Sequence, residues 1–214
     1  MSKRCFIFGA LEITNMPLSP SKGDMVIAAD KGLLNTEKFG ITPTMVIGDF
    51  DSLGYTPSVE GVITLPTHKD DTDTGYAINT ALKAGCDEFY IYGALGGRSD
   101  MSFASIQLLA SLSRKGVNAV FFGNGQNVTA VTNGSLRFEN GKGRISVFAH
   151  GSEANGVFLD GLEYPLKNAS LSPFFPLGVS NSFAEAESTV SVNDGTLIVF
   201  FEGSTLPEFK RFRA

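Results

Sequence analysis

In the first 123 residues, apolar runs of strand length alternate with stretches of helical period. Cys5–Leu11, Met25–Ala29, Met45–Ile47, Val62–Leu65, Phe89–Tyr92 and Val117–Phe122 read as strands. Leu33–Phe39, Thr72–Lys83 and Asp100–Lys115 read as helices, each stopped by a glycine at 40, 85 or 116. The clearest is the third, where Met101, Ala104, Ser105, Leu108, Leu109 and Leu112 share one face. Strands alternating with helices predict a mostly parallel sheet with helices on its faces. After Gly123 the pattern changes. Val128–Val131, Ser135–Phe138, Arg144–Ala149, Gly156–Leu159, Ser188–Val192 and Leu197–Glu202 are short β-like runs. Asn133-Gly134, Asn140-Gly141 and Asp194-Gly195 read as turns between them. The expected fold class is therefore α/β: an N-terminal mostly parallel α/β sheet domain over residues 1–125, then a C-terminal antiparallel β-sandwich domain over 126–214. The tail Pro207–Ala214 is expected to be loosely held.

Composition narrows the function classes. Hydrophobic residues make up 43% of the 214, enough for a sizeable core. A net charge of -5 argues against a nucleic-acid partner, which calls for a basic face. No apolar run reaches the ~18 residues of a membrane span, so no membrane partner is expected. Lys3 and Arg4 precede an apolar run, but Glu12 ends it and no small-x-small site follows, so the run reads as a first strand rather than a leader. Cys5 and Cys86 have neither a disulfide framework nor metal-ligand spacing, which is compatible with a reducing cytoplasm.

Acids gather where the predicted strands end. Asp30 ends the second strand, and Asp49 and Asp51 end the third with only Phe50 between them. Asp70, Asp71 and Asp73 follow the fourth, with Lys69 beside them, and Asp100 follows the fifth. In a parallel sheet these turns lie on one edge, in the crevice where ligands bind. Two carboxylates two residues apart need water, donors or a cation between them near neutral pH, and a hard cation takes oxygen ligands. Each acid alone also suits a turn or a helix cap. Seven acids at four successive turns exceed what capping requires.

Gly93-Ala94-Leu95-Gly96-Gly97-Arg98-Ser99-Asp100 lies between a strand and a helix. Glycines let a backbone approach a ligand, a helix N-terminus favours an anion, and Arg98 brings a fork of donors suited to phosphate. The spacing is neither a dinucleotide fingerprint nor a P-loop. A tight turn with a surface arginine is the plainer alternative. Ser180 and Asn181 have the donors and acceptors to read a heterocycle, and they are also ordinary turn residues.

Taken together, Ala29-Asp30-Lys31-Gly32, Gly48-Asp49-Phe50-Asp51-Ser52, Lys69-Asp70-Asp71-Thr72-Asp73, Gly96-Gly97-Arg98-Ser99-Asp100, Gly161–Pro165 and Ser180-Asn181 resemble, in order and spacing, the thiamine pyrophosphokinases. The resemblance spans nearly the whole chain. The family often has a histidine where Met101 stands, a glutamate where Ser182 stands and a glycine pair where Gly9-Ala10 stands.

The resemblance implies a homodimer, with a nucleotide- and metal-binding catalytic domain followed by a thiamine-binding and dimerisation domain. It implies transfer of a pyrophosphoryl group from ATP to the hydroxyl of thiamine, with Mg²⁺. Asp49, Asp51 and Asp73 would then hold Mg²⁺, and Arg98 would neutralise charge on the transferred group. Asp71 or Asp73 would accept the hydroxyl proton. Asp30, Lys69, Gly96, Gly97, Arg98 and Asp100 would contact substrate, with Ser180 and Asn181 on the thiamine pyrimidine. Two other readings stay open: a metal-dependent phosphohydrolase with water as nucleophile, and a non-catalytic nucleotide-binding sensor.

Overall fold

Strands covered on both faces are buried at consecutive positions rather than alternate ones. The structure, a computed structural model, describes residues 2–58, 61–66 and 71–212. In it, β1 (Arg4–Phe8), β2 (Met25–Ala29) and β3 (Met45–Gly48) each begin with one partly exposed residue and continue as an unbroken buried run. α1 (Gly32–Lys38) joins β2 to β3; β4 (Val62–Thr64), α2 (Asp73–Lys83), β5 (Glu88–Tyr92), α3 (Ser99–Arg114) and β6 (Asn118–Phe122) follow. The chain divides into two compact units, Met1–Ser105 with Phe121–Asn124 and Ile106–Val120 with Gly125–Ala214.

In the first unit the strand order is β5-β1-β2-β3-β4, with every pair parallel. The chain moves outward from β1 to β4 and then returns to the other side of β1 with β5. That reversal is a topological switch point, and the crevice outside the carboxyl ends of the strands there is where such sheets bind ligands. Phe6, Ile7, Phe8, Ile27, Ile47, Phe89, Ile91 and Tyr92 form the core. Tyr92 stacks on Phe122 at 4.3 Å and on Phe8 at 5.5 Å. α2 is capped by the Thr72 hydroxyl, which accepts from the Gly75 N–H at 3.0 Å, so Asp73 lies in the first turn rather than at the cap.

The second unit contains β7 (Asn127–Glu139), β8 (Arg144–Ala149), β9 (Ala154–Asp160), β10 (Leu166–Leu171), β11 (Gly178–Ser182), β12 (Glu187–Phe201) and β13 (Glu208–Arg211). Among the described residues, the paired strands of this set run antiparallel. β7 and β12 pair along their whole lengths. The first half of β12 also pairs with β9 and the second half with β8, so two sets of strands share this long central pair. Phe138, from the late part of β7, meets Phe201, from the late part of β12, edge to face at 5.3 Å. The result is the expected antiparallel sandwich.

Three sequence expectations are corrected here. Asn133-Gly134 and Asp194-Gly195 each predict a turn between two strands, yet each lies inside one long strand. Asn133 has φ 47 and Gly195 φ 116. The Asn133 side chain accepts from the Gly195 N–H at 3.0 Å, where the register shifts between Val192 and Thr196. The turn formers therefore make a bulge on β12, where residues 193–195 face the single residue Asn133 of β7. The tail is not loose as far as it is described. β13 pairs with β7, and Arg211 donates to the Ser113 carbonyl at 3.1 Å and to Asn118 Oδ1 at 3.3 Å. Ser180 and Asn181, whose residue types also suit a turn, lie instead on a strand, Gly178–Ser182.

Candidate active site

The parallel registers bring the carboxyl ends of β1, β2, β3 and β5 to one edge: Phe8 lies beside Ala28 and Tyr92, and Ala29 beside Ile47. At the switch point, β1 and β5 continue into loops that nearly touch. Leu11 N–H donates to the Gly93 carbonyl at 3.0 Å, and a Cβ on Gly93 would stand 2.6 Å from the Leu11 carbonyl. Gly93 also has φ 67, so two independent constraints demand glycine there. The buried Asn35 of α1 holds the same loop. Its amide donates to the Gly9 and Leu11 carbonyls at 2.9 and 2.8 Å and accepts from the Ile13 N–H at 3.2 Å.

Asp49 and Asp51 leave β3 around a buried residue. Phe50 has φ 61 and packs against Ala28, Leu33 and Val46. With Phe50 turned inward, Asp49 is half-buried and Asp51 is exposed at the edge. The Asp51 N–H donates to Asp49 Oδ1 at 3.3 Å. Asp30 ends β2 with φ 51, and its Oδ2 accepts from the Ser52 hydroxyl. This joins the β2 and β3 loops, so the structure brings Asp30, Asp49 and Asp51 to one edge.

Asp71 and Asp73 lie at the start of α2. Asp71 Oδ1 accepts from the Thr72 N–H at 2.8 Å and Oδ2 from Asn79 Nδ2 at 3.1 Å, so both oxygens are bound to their own helix. Lys69 and Asp70 lie outside the described residues. Among the described residues, no group of three or more His, Cys, Asp or Glu side chains is assembled to hold a metal ion. Mg²⁺ does not require such a cage: it is usually held by one or two carboxylates, retained waters and substrate phosphates. Hard oxygen donors at Asp49 and Asp51, with the buried Oδ1 of Asp30 that has no hydrogen-bond partner among the described residues, fit that kind of ion.

Gly96 (φ 100) and Gly97 (φ 63) lead to α3. Ser102 and Ser105 hold this turn. The Gly96 N–H donates to Ser102 Oγ at 3.0 Å, and Ser105 Oγ donates to the Ala94 carbonyl at 2.8 Å. Arg98 makes a two-pronged contact with Asp100, Nε to Oδ1 at 3.1 Å and a terminal nitrogen to Oδ2 at 2.6 Å. The guanidinium holds the Asp100 carboxyl below the usual carboxylate range, with the Met101 N–H adding to the effect. Both side chains are well exposed, 75% and 64%, and an exposed pair is easily exchanged for another anion. Arg98→Ala should move the Asp100 carboxyl upward toward the ordinary range, read by carboxyl-carbon chemical shifts against pH. An unchanged Asp100 titration would contradict the pairing. Arg98→Lys, which loses the planar fork, should cut kcat/KM for a phosphate-bearing substrate about tenfold or more.

Ser180 and Asn181 lie on β11 and point to different surroundings. Ser180, with φ 58, helps line a cavity of about 400 Å³ with Gln126, Arg144, Ser146, Phe148 and Phe200. Asn181 is buried, and its amide grips the Gly161–Pro165 segment. Asn181 Oδ1 accepts from the Tyr164 and Ser182 N–H groups, each at 2.9 Å, and Nδ2 donates to the Tyr164 carbonyl at 2.8 Å. Tyr164, itself 64% exposed, lines a neighbouring cavity of about 320 Å³ with Leu159, Leu166 and Leu177. Sequence reasoning missed Asn35, Asn79, Ser102 and Ser105. Only their places near glycine turns or about two helical turns from an acid hinted at them.

Comparison with known proteins agrees with this layout. Residues 19–121 match the family model for the thiamin pyrophosphokinase catalytic domain, and residues 136–197 match that for its vitamin B1 binding domain. Thiamine pyrophosphokinase of Bacillus subtilis is 26% identical over 181 residues, 81% of this chain and 85% of that protein. The crystal structure of the enzyme from the same organism superposes with a TM-score of 0.84 at 25% identity, covering 94% of this chain and 99% of that one. Thiamin pyrophosphokinase from Candida albicans, at 15% identity, shares the fold with a TM-score of 0.79 over 94% of this chain and 90% of that one. The two family models together span most of the chain, in the order of its α/β and β portions, and the chain belongs to the thiamine pyrophosphokinase family.

Proposed function

We propose that the protein is an ATP-dependent thiamine diphosphokinase acting in the cytoplasm. The oxygen of the thiamine hydroxyl attacks the β-phosphorus of ATP, the bond from that phosphorus to the α,β-bridging oxygen breaks, and AMP leaves. The hydroxyl proton passes to a carboxylate, Asp71 or Asp73. The observation that carries the reading is the joining of Asp30, Asp49 and Asp51 at the strand edge of a chain matching both family models. Such chemistry asks the protein mainly for positioning and charge stabilisation. Asp49, Asp51 and Asp73 are suited to hold Mg²⁺, which supplies charge neutralisation on the phosphates when bound. Arg98 is suited to exchange Asp100 for a phosphate oxygen of the transferred group. Lys69, Gly96 and Gly97 belong to the substrate contacts. The acidic edge suits cationic thiamine.

The proposed assembly is a homodimer in which Ser180 of the partner subunit contacts thiamine, while Asn181 acts through the Tyr164 segment it grips. Tyr164, Phe174, Phe175, Leu177 and Val179 are large apolar side chains all more than half exposed, the kind of residue that partners cover. A mixed refolding tests this. Asp49→Asn chains and Ser180→Trp chains, each inactive alone, should regain roughly a quarter of wild-type activity when refolded together, because half the dimers are mixed and each holds one intact site. No recovery, with mixed dimers detected by native mass spectrometry, would mean that each site is built within one chain.

Incubation with ATP, Mg²⁺ and thiamine should give thiamine diphosphate and AMP, detected by mass. AMP or phosphate formed equally well without thiamine would indicate a phosphohydrolase. Nucleotide binding without turnover would indicate a sensor.

A further inference from the structure

The Asp30 carboxylate is held in an unequal way. Its Oδ2 takes the Ser52 hydroxyl, while its Oδ1 is buried and has no hydrogen-bond partner among the described residues. A buried acceptor without a partner is costly and calls for an explanation. The backbone beneath it is fixed as well. Asp30 has φ 51, in the left-handed region, and its N–H donates to the Ile47 carbonyl at 2.8 Å. A Cβ on Gly48 would stand 3.1 Å from the Asp30 Cα, so the β3 end presses directly on this residue. Strained, over-determined backbone of this kind collects at ligand sites. The Ser52 hydroxyl reaches from the turn after β3 to the β2 loop.

We propose that Ser52 is a positioning residue: by fixing Asp30 Oδ2, it holds Oδ1 uncommitted at the strand edge as an acceptor for a donor group of bound substrate. The same bond makes the Asp49–Asp51 turn and Asp30 a single element, so ordering one orders the other. The proposal rests on the reading of this edge as the catalytic one. It adds a residue that neither binds substrate nor transfers a proton itself.

The test is a double-mutant cycle on the full chain with Ser52→Ala, Ser52→Thr, Asp30→Asn and the double variant Asp30→Asn/Ser52→Ala. Ser52→Ala should lower kcat/KM about tenfold or more, the scale of a misplaced contact. Ser52→Thr, which keeps the hydroxyl, should stay within about threefold of wild type. On the Asp30→Asn background, Ser52→Ala should change kcat/KM by less than about twofold, because the group it positions is already altered. Unfolding of the ligand-free variants in urea gives a second cycle, independent of activity, in which the two substitutions should again be non-additive. Additive effects in either cycle, or a Ser52→Thr enzyme as impaired as Ser52→Ala, would overturn the proposal. If wild type makes no thiamine diphosphate, the functional reading fails separately, and the urea cycle still decides whether Ser52 holds Asp30.

Discussion

Asp49→Asn and Asp51→Asn should each lower kcat by about 10²-fold or more, the loss expected when a transition-state electrostatic contact is removed. Folding should survive. Both acids sit at the strand edge, whereas the buried packing of this turn comes from Phe50 against Ala28, Leu33 and Val46. Removing one of two neighbouring carboxylates also relieves their repulsion in the ligand-free protein. Circular dichroism and urea midpoints should therefore stay near wild type while turnover collapses, and raised Mg²⁺ should recover part of it. Near-normal turnover at limiting Mg²⁺ in either variant would remove these residues from the metal site.

Asn181→Ala should act in the opposite manner, on stability first. Its side chain satisfies the Tyr164 N–H, the Tyr164 carbonyl and the Ser182 N–H from a site only 3% exposed. Truncation leaves backbone groups without partners, and the expected loss is about 2–3 kcal/mol. The Gly161–Pro165 segment should loosen with it, exposing its amides to hydrogen exchange, and KM for thiamine should rise because Tyr164 no longer holds its place. Asn181→Asp keeps the acceptor and should spare the Tyr164 N–H while losing the bond to its carbonyl. An Asn181→Ala protein as stable as wild type, with only KM changed, would instead make Asn181 a direct substrate contact.

The acidic edge was legible because its physics is local. Apolar runs ending in Asp or Gly mark strand ends, and a parallel sheet places such ends together whatever their separation in sequence. Asp30, Asp49 and Asp51 follow from that rule. What the side chains bind does not follow from it. Asp71 reads as a candidate base, and nothing local announces that its oxygens also accept from Thr72 and Asn79. Asn181 reads as a reader of heterocycles, yet its amide is spent on Tyr164. Such pairings depend on which backbone groups a fold leaves unsatisfied, and that is a tertiary property. The β half was harder for a different reason. Asn-Gly and Asp-Gly supply positive φ, which a hairpin turn and a bulge both need, so Asn133 and Gly195 look the same in either role. β10 and β13 have few buried positions, and such strands lack the apolar alternation that would reveal them.

On the proposed function, this strand edge moves a pyrophosphoryl group intact from ATP to thiamine. ATP labelled at its β-phosphorus tests it most directly. Incubated with the protein, Mg²⁺ and thiamine, the label should appear in thiamine diphosphate, in equal amount to unlabelled AMP, with no thiamine monophosphate on the way and no AMP when thiamine is omitted. Label retained in ADP, or released as inorganic phosphate or pyrophosphate at the same rate without thiamine, would contradict the account.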